Sequence, residues 1–222
     1  MKNILVVAAH PDDEALGCGG AILRHVEQGD SVHLVLMTDG EMARESATTC
    51  DIERRFAAVL KVKEILGISS VESLGFSDNR MDSHPLLNII QSLEKIISKI
   101  RPTIVYTHHH GDLNIDHRLT QQAVMTACRP LPDASVREIY GFEILSSSEW
   151  SLSSSLHFTP HLFIDISNQL NTKLQAIDVY ASEMLPAPHS RSVHHIEILA
   201  RHRGYTVGTQ AAEAFEVYRM IR

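Results

Sequence analysis

A chain of 222 residues with 44% hydrophobic and 21% charged side chains has the composition of an ordinary globular protein and ample length for a sizeable core. Its formal charge of −7 argues against a nucleic-acid backbone as partner, because counterion release needs clustered Lys and Arg. No stretch approaches the ~20 apolar residues of a membrane span, and the short apolar run near the start ends in His-Pro-Asp-Asp-Glu rather than at a small-residue cleavage site.

The first half alternates strand and helix patterns. Ile4–Ala9 is a continuous apolar run, the mark of a strand buried on both faces. A helix is expected from about Asp13 to Gln28, with acids in its first turn and Gly29-Asp30 ending it. Ser31–Thr38 predicts a second strand and Asp39-Gly40 a turn; Ile52–Leu66 has helical spacing and stops at Gly67. Val71–Phe76 predicts a strand, Leu86–Ile100 an amphipathic helix closed by Arg101-Pro102, Thr103–Thr107 a buried strand and Leu119–Cys128 a helix. From Glu138 the pattern loosens. Strands near Ile139–Ile144 and His161–Asp165 flank a Ser-rich turn region from Ser146 to Ser155, helices near Asn168–Tyr180 and Val193–Gly204 follow, and Thr206 to Phe215 reads as structural packing. Such repetition implies right-handed crossovers and a mainly parallel sheet covered on both faces, an α/β three-layer sandwich with a less regular C-terminal third. No linker, repeat or low-complexity segment divides it, so residues 1–222 are expected to form a single domain. Cys18, Cys50 and Cys128 show neither metal-type nor disulfide-type spacing, which points to a reducing, cytoplasmic setting.

Two segments carry chemistry. His10-Pro11-Asp12-Asp13-Glu14 stands at the carboxyl end of the first strand, where open parallel sheets bind ligands. One imidazole and three carboxylates in five residues repel one another unless a positive charge compensates, and a divalent metal would do so. One of Asp12 and Asp13 can then bind the metal while the other takes a proton. Taken singly, either reads as a helix N-cap. Gly17, Gly19 and Gly20 would let the following helix pack closely on this loop. The second segment, Thr107 to Arg118, also links a buried strand to a helix and contains His108-His109-His110 and Asp112-Leu113-Asn114-Ile115-Asp116-His117. Individually, His108 and His109 read as parts of a polar surface loop. Catalytic zinc takes three protein ligands and leaves a position for water; His10, Asp13 and His117 make such a set.

The two motifs resemble those of the LmbE-like (PIG-L) family of zinc-dependent N-deacetylases. Thr38-Asp39-Gly40-Glu41, Leu74 to Asn79, Arg201 to Gly204 and Ala212 to Phe215 resemble the family's weaker blocks, so the likeness spans nearly the whole chain. It implies a Rossmann-like fold with one Zn²⁺ per chain on His10, Asp13 and His117. Asp12 would be the general base, and Asp116 would orient an imidazole. The reaction implied is removal of an N-acetyl group from an amino sugar or small glycoconjugate through a zinc-activated water, and family members are often homo-oligomers. The donor set alone would equally accept Fe²⁺, Co²⁺ or Mn²⁺.

One departure stands out. Many members carry a histidine, credited with stabilising the oxyanion, where this chain has Asn114; either Asn114 and the metal share that task, or His110 or the His194-His195 pair takes it. Arg54 and Arg55 lie where members often place a substrate-contacting arginine, and Asp78 and Asn79 follow the third strand at the same sheet edge. These four and His110 are the candidate substrate contacts, although surface salt bridges and turn capping account for the four equally well. A single Trp and five Tyr offer no stacking platform for a polysaccharide, which favours a small substrate. The main alternative is a zinc-dependent amidase acting on a non-sugar N-acyl compound. A nucleotide-binding module is disfavoured, because the acids of the first loop would repel phosphate, and the intact Asp12 speaks against an inactive metal-binding protein.

Overall fold

The computed structural model describes residues 1–43, 48–151 and 157–222. Among these residues seven strands form one sheet in the order β3-β2-β1-β4-β5-β7-β6. Strands β1 (Asn3–Ala8), β2 (Ser31–Thr38), β3 (Ser70–Phe76), β4 (Ile104–His108) and β5 (Glu138–Phe142) pair in parallel. The buried central strand shows why: Ile4, Val6 and Ala8 enter one core and Leu5 and Val7 the other, as the two-residue side-chain period requires. Helices α1 (Asp13–Glu27) and α2 (Thr49–Leu66) cover the first face together with α5 (Leu170–Val179) and α6 (Val193–Thr206). Helices α3 (Leu86–Ile100) and α4 (Ile115–Ala127) cover the second, with Ile89, Ile90, Leu93 and Ile96 turned inward at helical spacing. No described helix is long and apolar enough to cross a membrane.

The mainly parallel α/β sandwich expected from the periodicity is the architecture found. The C-terminal third differs from expectation in one large respect. Where the sequence pattern suggests only packing, the nine-residue strand β7 (Ala212–Met220) inserts antiparallel between β5 and β6 (Leu162–Asp165). Helix α4 also begins earlier than its apolar spacing suggests, at Ile115, because the Asn114 side chain accepts the Asp116 N–H and caps it. Helix α2 begins at Thr49 behind a Thr48–Asp51 capping box. Ser153 to Ser155 of the expected Ser-rich turn lie outside the described residues.

The glycines of α1 do admit close neighbours. A Cβ at Gly17 would collide with the Phe142 ring, and one at Gly20 would lie 2.5 Å from Ile166 Cγ2; at Gly19 the nearest contact, 3.5 Å to Lys173, is ordinary. The helix is broken at Cys18 (φ −147°, ψ 22°), which parts the Gly20 N–H from the Leu16 carbonyl it would otherwise meet. Two buried side chains fill the gap. Lys173 Nζ donates to Leu16 O (2.8 Å) and to Glu213 Oε1 (2.6 Å), while the Glu213 carboxylate accepts the N–H groups of Gly20 (2.8 Å) and Ala21 (2.7 Å). The missed strand thus repairs the helix that carries the first motif.

Replacing Glu213 with Ala would leave Lys173 buried without its counter-charge and the Gly20 and Ala21 amides without an acceptor. Breaking such a pair costs about 3–5 kcal/mol, so Glu213→Ala is expected to unfold at markedly lower urea concentration and temperature than wild type, with a circular-dichroism melt as the check.

Candidate metal centre

The β1 connection runs outward to β2 and β3, whereas β4 starts the run to β5 on the other side, so the loops after β1 and β4 part at the topological switch point. His10, Asp12 and Asp13 stand on the first loop and the start of α1; Asp112 to His117 stand on the second. The loops after β2, β3 and β5 join them. Together with Glu183 and Arg191 they line an open cavity of ≈ 200 Å³, walled by His10, Asp12, Gly40, Arg55, Asp78, Asn79, Asn114, His117, Ser146 and Ser147.

Three donor atoms form a near-equilateral triangle. His10 Nδ1 lies 3.2 Å from His117 Nε2, and Asp13 Oδ2 lies 3.4 Å from each. Tetrahedral zinc with bonds of about 2.0–2.1 Å sets its ligand atoms about 3.3–3.4 Å apart. The chemistry of the set agrees. Asp13 Oδ1 is buried without a hydrogen-bond partner, an acceptor whose need a cation would meet. Each imidazole turns its other nitrogen to a carboxylate: His10 Nε2 to Asp116 (3.2 Å) and Asp78 (3.3 Å), and His117 Nδ1 to Asp112 (3.0 Å). Those contacts select the tautomers that leave His10 Nδ1 and His117 Nε2 as lone-pair donors. The residues present fit a divalent metal. Burial opposes charging His117, but Asp13 and Asp112 outweigh it and hold it up at about 9, so a bound ion would take the place of a proton.

The outer carboxylates are themselves held. Asp116 accepts the backbone N–H of Asn79 (2.7 Å) and Met81 (3.1 Å). Asp112 accepts the Asn114 N–H (2.8 Å) and the hydroxyls of Ser147 and Ser148. Asp12 does not cap α1; its φ of 122° is a conformation rare for a non-glycine residue, and its N–H goes to Glu14 Oε2 (3.1 Å). Its carboxylate meets Arg191 Nη1 at 3.3 Å and Arg55 Nη2 at 3.7 Å, both through Oδ2. Burial pushes Asp12 up to about 6 despite these two cations.

Other expected site residues are placed differently. Arg55 is buried and committed to Glu183 (2.7 Å), whereas Arg54 points to solvent and pairs with Asp51. Asp78 binds His10, the Ala43 N–H and the Asn79 amide. Asn114 reaches the cavity wall, but its Oδ1 caps α4 and its Nδ2 donates to Asn79. His110 is exposed beside Tyr218 and Glu216, and His195 turns Nδ1 to the Ser190 carbonyl; neither they nor His194 line the cavity. His108 and His109 are fully buried, not parts of a surface loop. His108 stacks on His117 (4.0 Å between rings) and accepts the Ala9 N–H, and burial keeps it neutral. His109 Nδ1 meets Glu216 at 2.8 Å. Asp112, Ser147, Glu183 and Arg191 had no site role in the sequence reading. Asp112 alone was within reach, since two imidazole ligands call for two acceptors and only Asp116 had been supplied.

Residues 5–128 match the family model described as PIG-L: GlcNAc-PI de-N-acetylase. An uncharacterized deacetylase of Escherichia coli K12, YaiS, is 35% identical over 188 residues, covering 82% of this chain and 91% of its own. The diacetylchitobiose deacetylase of Thermococcus kodakarensis is 28% identical, covering 82% of this chain and 70% of its own. Among solved structures, the 4-carboxy-2-hydroxymuconate hydratase of Pseudomonas putida KT2440 superposes with a TM-score of 0.80 at 25% identity, covering 100% of this chain and 98% of its own.

Removing the acceptor behind a ligand imidazole typically costs 10–100-fold in metal affinity. Asp112→Asn is expected to bind zinc that much more weakly while His117→Ala binds none at the site, read by metal analysis after dialysis against a graded chelator series.

Proposed function

The chain belongs to the PIG-L family, and from that premise we propose that it is a metal-dependent hydrolase removing an N-acetyl group from an amino sugar or small glycoconjugate. The observation that carries this reading is the donor triangle of His10, Asp13 and His117 with the carboxylate of Asp12 on the same loop and the same cavity wall. The deacetylase relative acting on diacetylchitobiose supports a sugar substrate. The hydratase among the structural neighbours marks the boundary of that support, since in that protein the scaffold serves a different addition of water.

A divalent ion held by His10, Asp13 and His117 would supply a Lewis acid for the acetyl carbonyl and lower the pKa of water to roughly 7. Asp12 takes a proton from the attacking water and delivers it to the departing nitrogen, leaving acetate and a free amine. Asn114, on the cavity wall with Nδ2 toward Asn79, is the side-chain amide of the second motif that would aid the oxyanion. Asp78 and Asn79 line the same cavity and are the candidates for binding sugar hydroxyls, and Asp116 and Asp112 keep the two imidazoles oriented.

Acetate release from a panel of N-acetylated sugars and non-sugar N-acyl compounds, with metal content measured in parallel, tests the proposal. Asp12→Asn is expected to keep its metal and lose about 10²–10⁴-fold in turnover; wild-type turnover in that variant would remove Asp12 from the base role. Release from non-sugar amides alone would favour the amidase alternative. The pH profile is a second check. A base must be ionised, so kcat/KM falls as pH drops through the Asp12 pKa. Burial sets that at about 6 without metal, and a neighbouring divalent cation can only lower it, so the acid limb is expected at or below pH 6.

A further inference from the structure

We infer that Arg191, from the loop before α6, is a positioning residue that fixes the Asp12 carboxylate in the attitude a general base needs. The inference rests on the proposed function in taking Asp12 as the base. Its observations are geometric. Arg191 Nη1 donates to Asp12 Oδ2 (3.3 Å) and Nε donates to Ser146 Oγ (2.9 Å), so one side chain ties the loops after β1 and β5 to the segment entering α6. The anchor is stiff. The Arg191 N–H donates to His189 Nδ1 (3.0 Å), its carbonyl accepts the Leu185 N–H (3.2 Å), and the next residue, Ser192, caps α6 through the His195 N–H (3.2 Å).

The other cation near Asp12 cannot substitute. Arg55 lies farther off, at 3.7 Å, and its guanidinium is drawn to Glu183 at 2.7 Å and Glu41 at 3.9 Å. Both guanidiniums approach Oδ2, so Arg191 restrains the carboxylate through the oxygen they share. Without that restraint a buried carboxylate next to Asp13 is drawn toward the cation the donor triangle would hold, and becomes one more ligand rather than a base. A misplacement of about 1 Å can cost 10²-fold in rate.

The test compares metal-loaded wild type with Arg191→Ala and Arg191→Lys by crystallography and kinetics. In Arg191→Ala the Asp12 carboxylate is expected to leave its wild-type position while His10, Asp13 and His117 keep theirs. On an N-acetyl sugar that wild type hydrolyses, kcat should fall about 10²-fold with KM within about threefold. Arg191→Lys, or guanidinium chloride added to Arg191→Ala, should restore part of the loss. An Asp12 carboxylate unmoved in Arg191→Ala overturns the inference whatever the kinetics. A raised KM with unchanged kcat also overturns it, making Arg191 a substrate contact. If wild type hydrolyses no N-acetyl compound, the deacetylase reading fails, and the Asp12 position in the crystal still decides the positioning role.

Discussion

The burial of charge at the sheet's switch point governs this molecule. Asp12, Asp13, Glu14, Asp78, Asp112 and Asp116 are all nearly inaccessible, as are His10, His108 and His117. Carboxylates removed from water are costly unless each finds a partner. The structure answers with a set of pairings: His10 with Asp116 and Asp78, His117 with Asp112, Asp12 with Arg191, and Glu14 with the Tyr180 hydroxyl and the Asp12 amide. Asp13 Oδ1 is left without a partner. The pairings do more than neutralise. Each fixes which nitrogen or oxygen faces the cavity, so the electrostatic requirement of folding also sets the geometry of the donor triangle.

What was legible in the sequence follows from how local the signal is. The strand from Ile4 and the helix over Leu86–Ile100 announce themselves because their whole environment is apolar and their periodicity undisturbed. Strand β7 did not, because it is buried on both faces yet carries Glu213 on one and Glu216 on the other, which interrupt the continuous apolar run that marks such a strand; with two Ala beside them the segment has the composition of a helix. The start of α4 was lost for a related reason. Asn114 was read for its place in the second motif, while its side chain was also an N-cap. His108 and His109 look polar in sequence but lie under the site, one stacked on His117 and the other paired with Glu216.

The donor triangle was legible for the opposite reason. Both motifs follow buried parallel strands, and topology alone brings such loops to one edge. Arg191 and Glu183 carry no comparable marker. Glu183 ends a short 3-10 turn and Arg191 sits in the loop before α6, both far beyond the first motif in sequence, and only tertiary packing brings them to Arg55 and Asp12.

That packing gives the irregular third its place in the site. Glu213 and Lys173 close the break in α1, Tyr180 holds Glu14, and Arg191 holds Asp12, so three contacts from the C-terminal third converge on the first motif. The strained backbone of Asp12 makes the dependence sharper. A non-glycine residue at φ 122° costs of order 1–3 kcal/mol and persists only where the surroundings over-determine it. Here the surroundings are Glu14 on the amide and Arg191 on the carboxylate. The adjacent Asp12 and Asp13 can therefore face different tasks: the turn at Asp12 separates their side chains, with Asp13 directed to the two imidazoles and Asp12 to the two arginines. The loops after β1 and β4 supply His10, Asp13 and His117. Holding a second carboxylate beside them without letting it join them requires the last third.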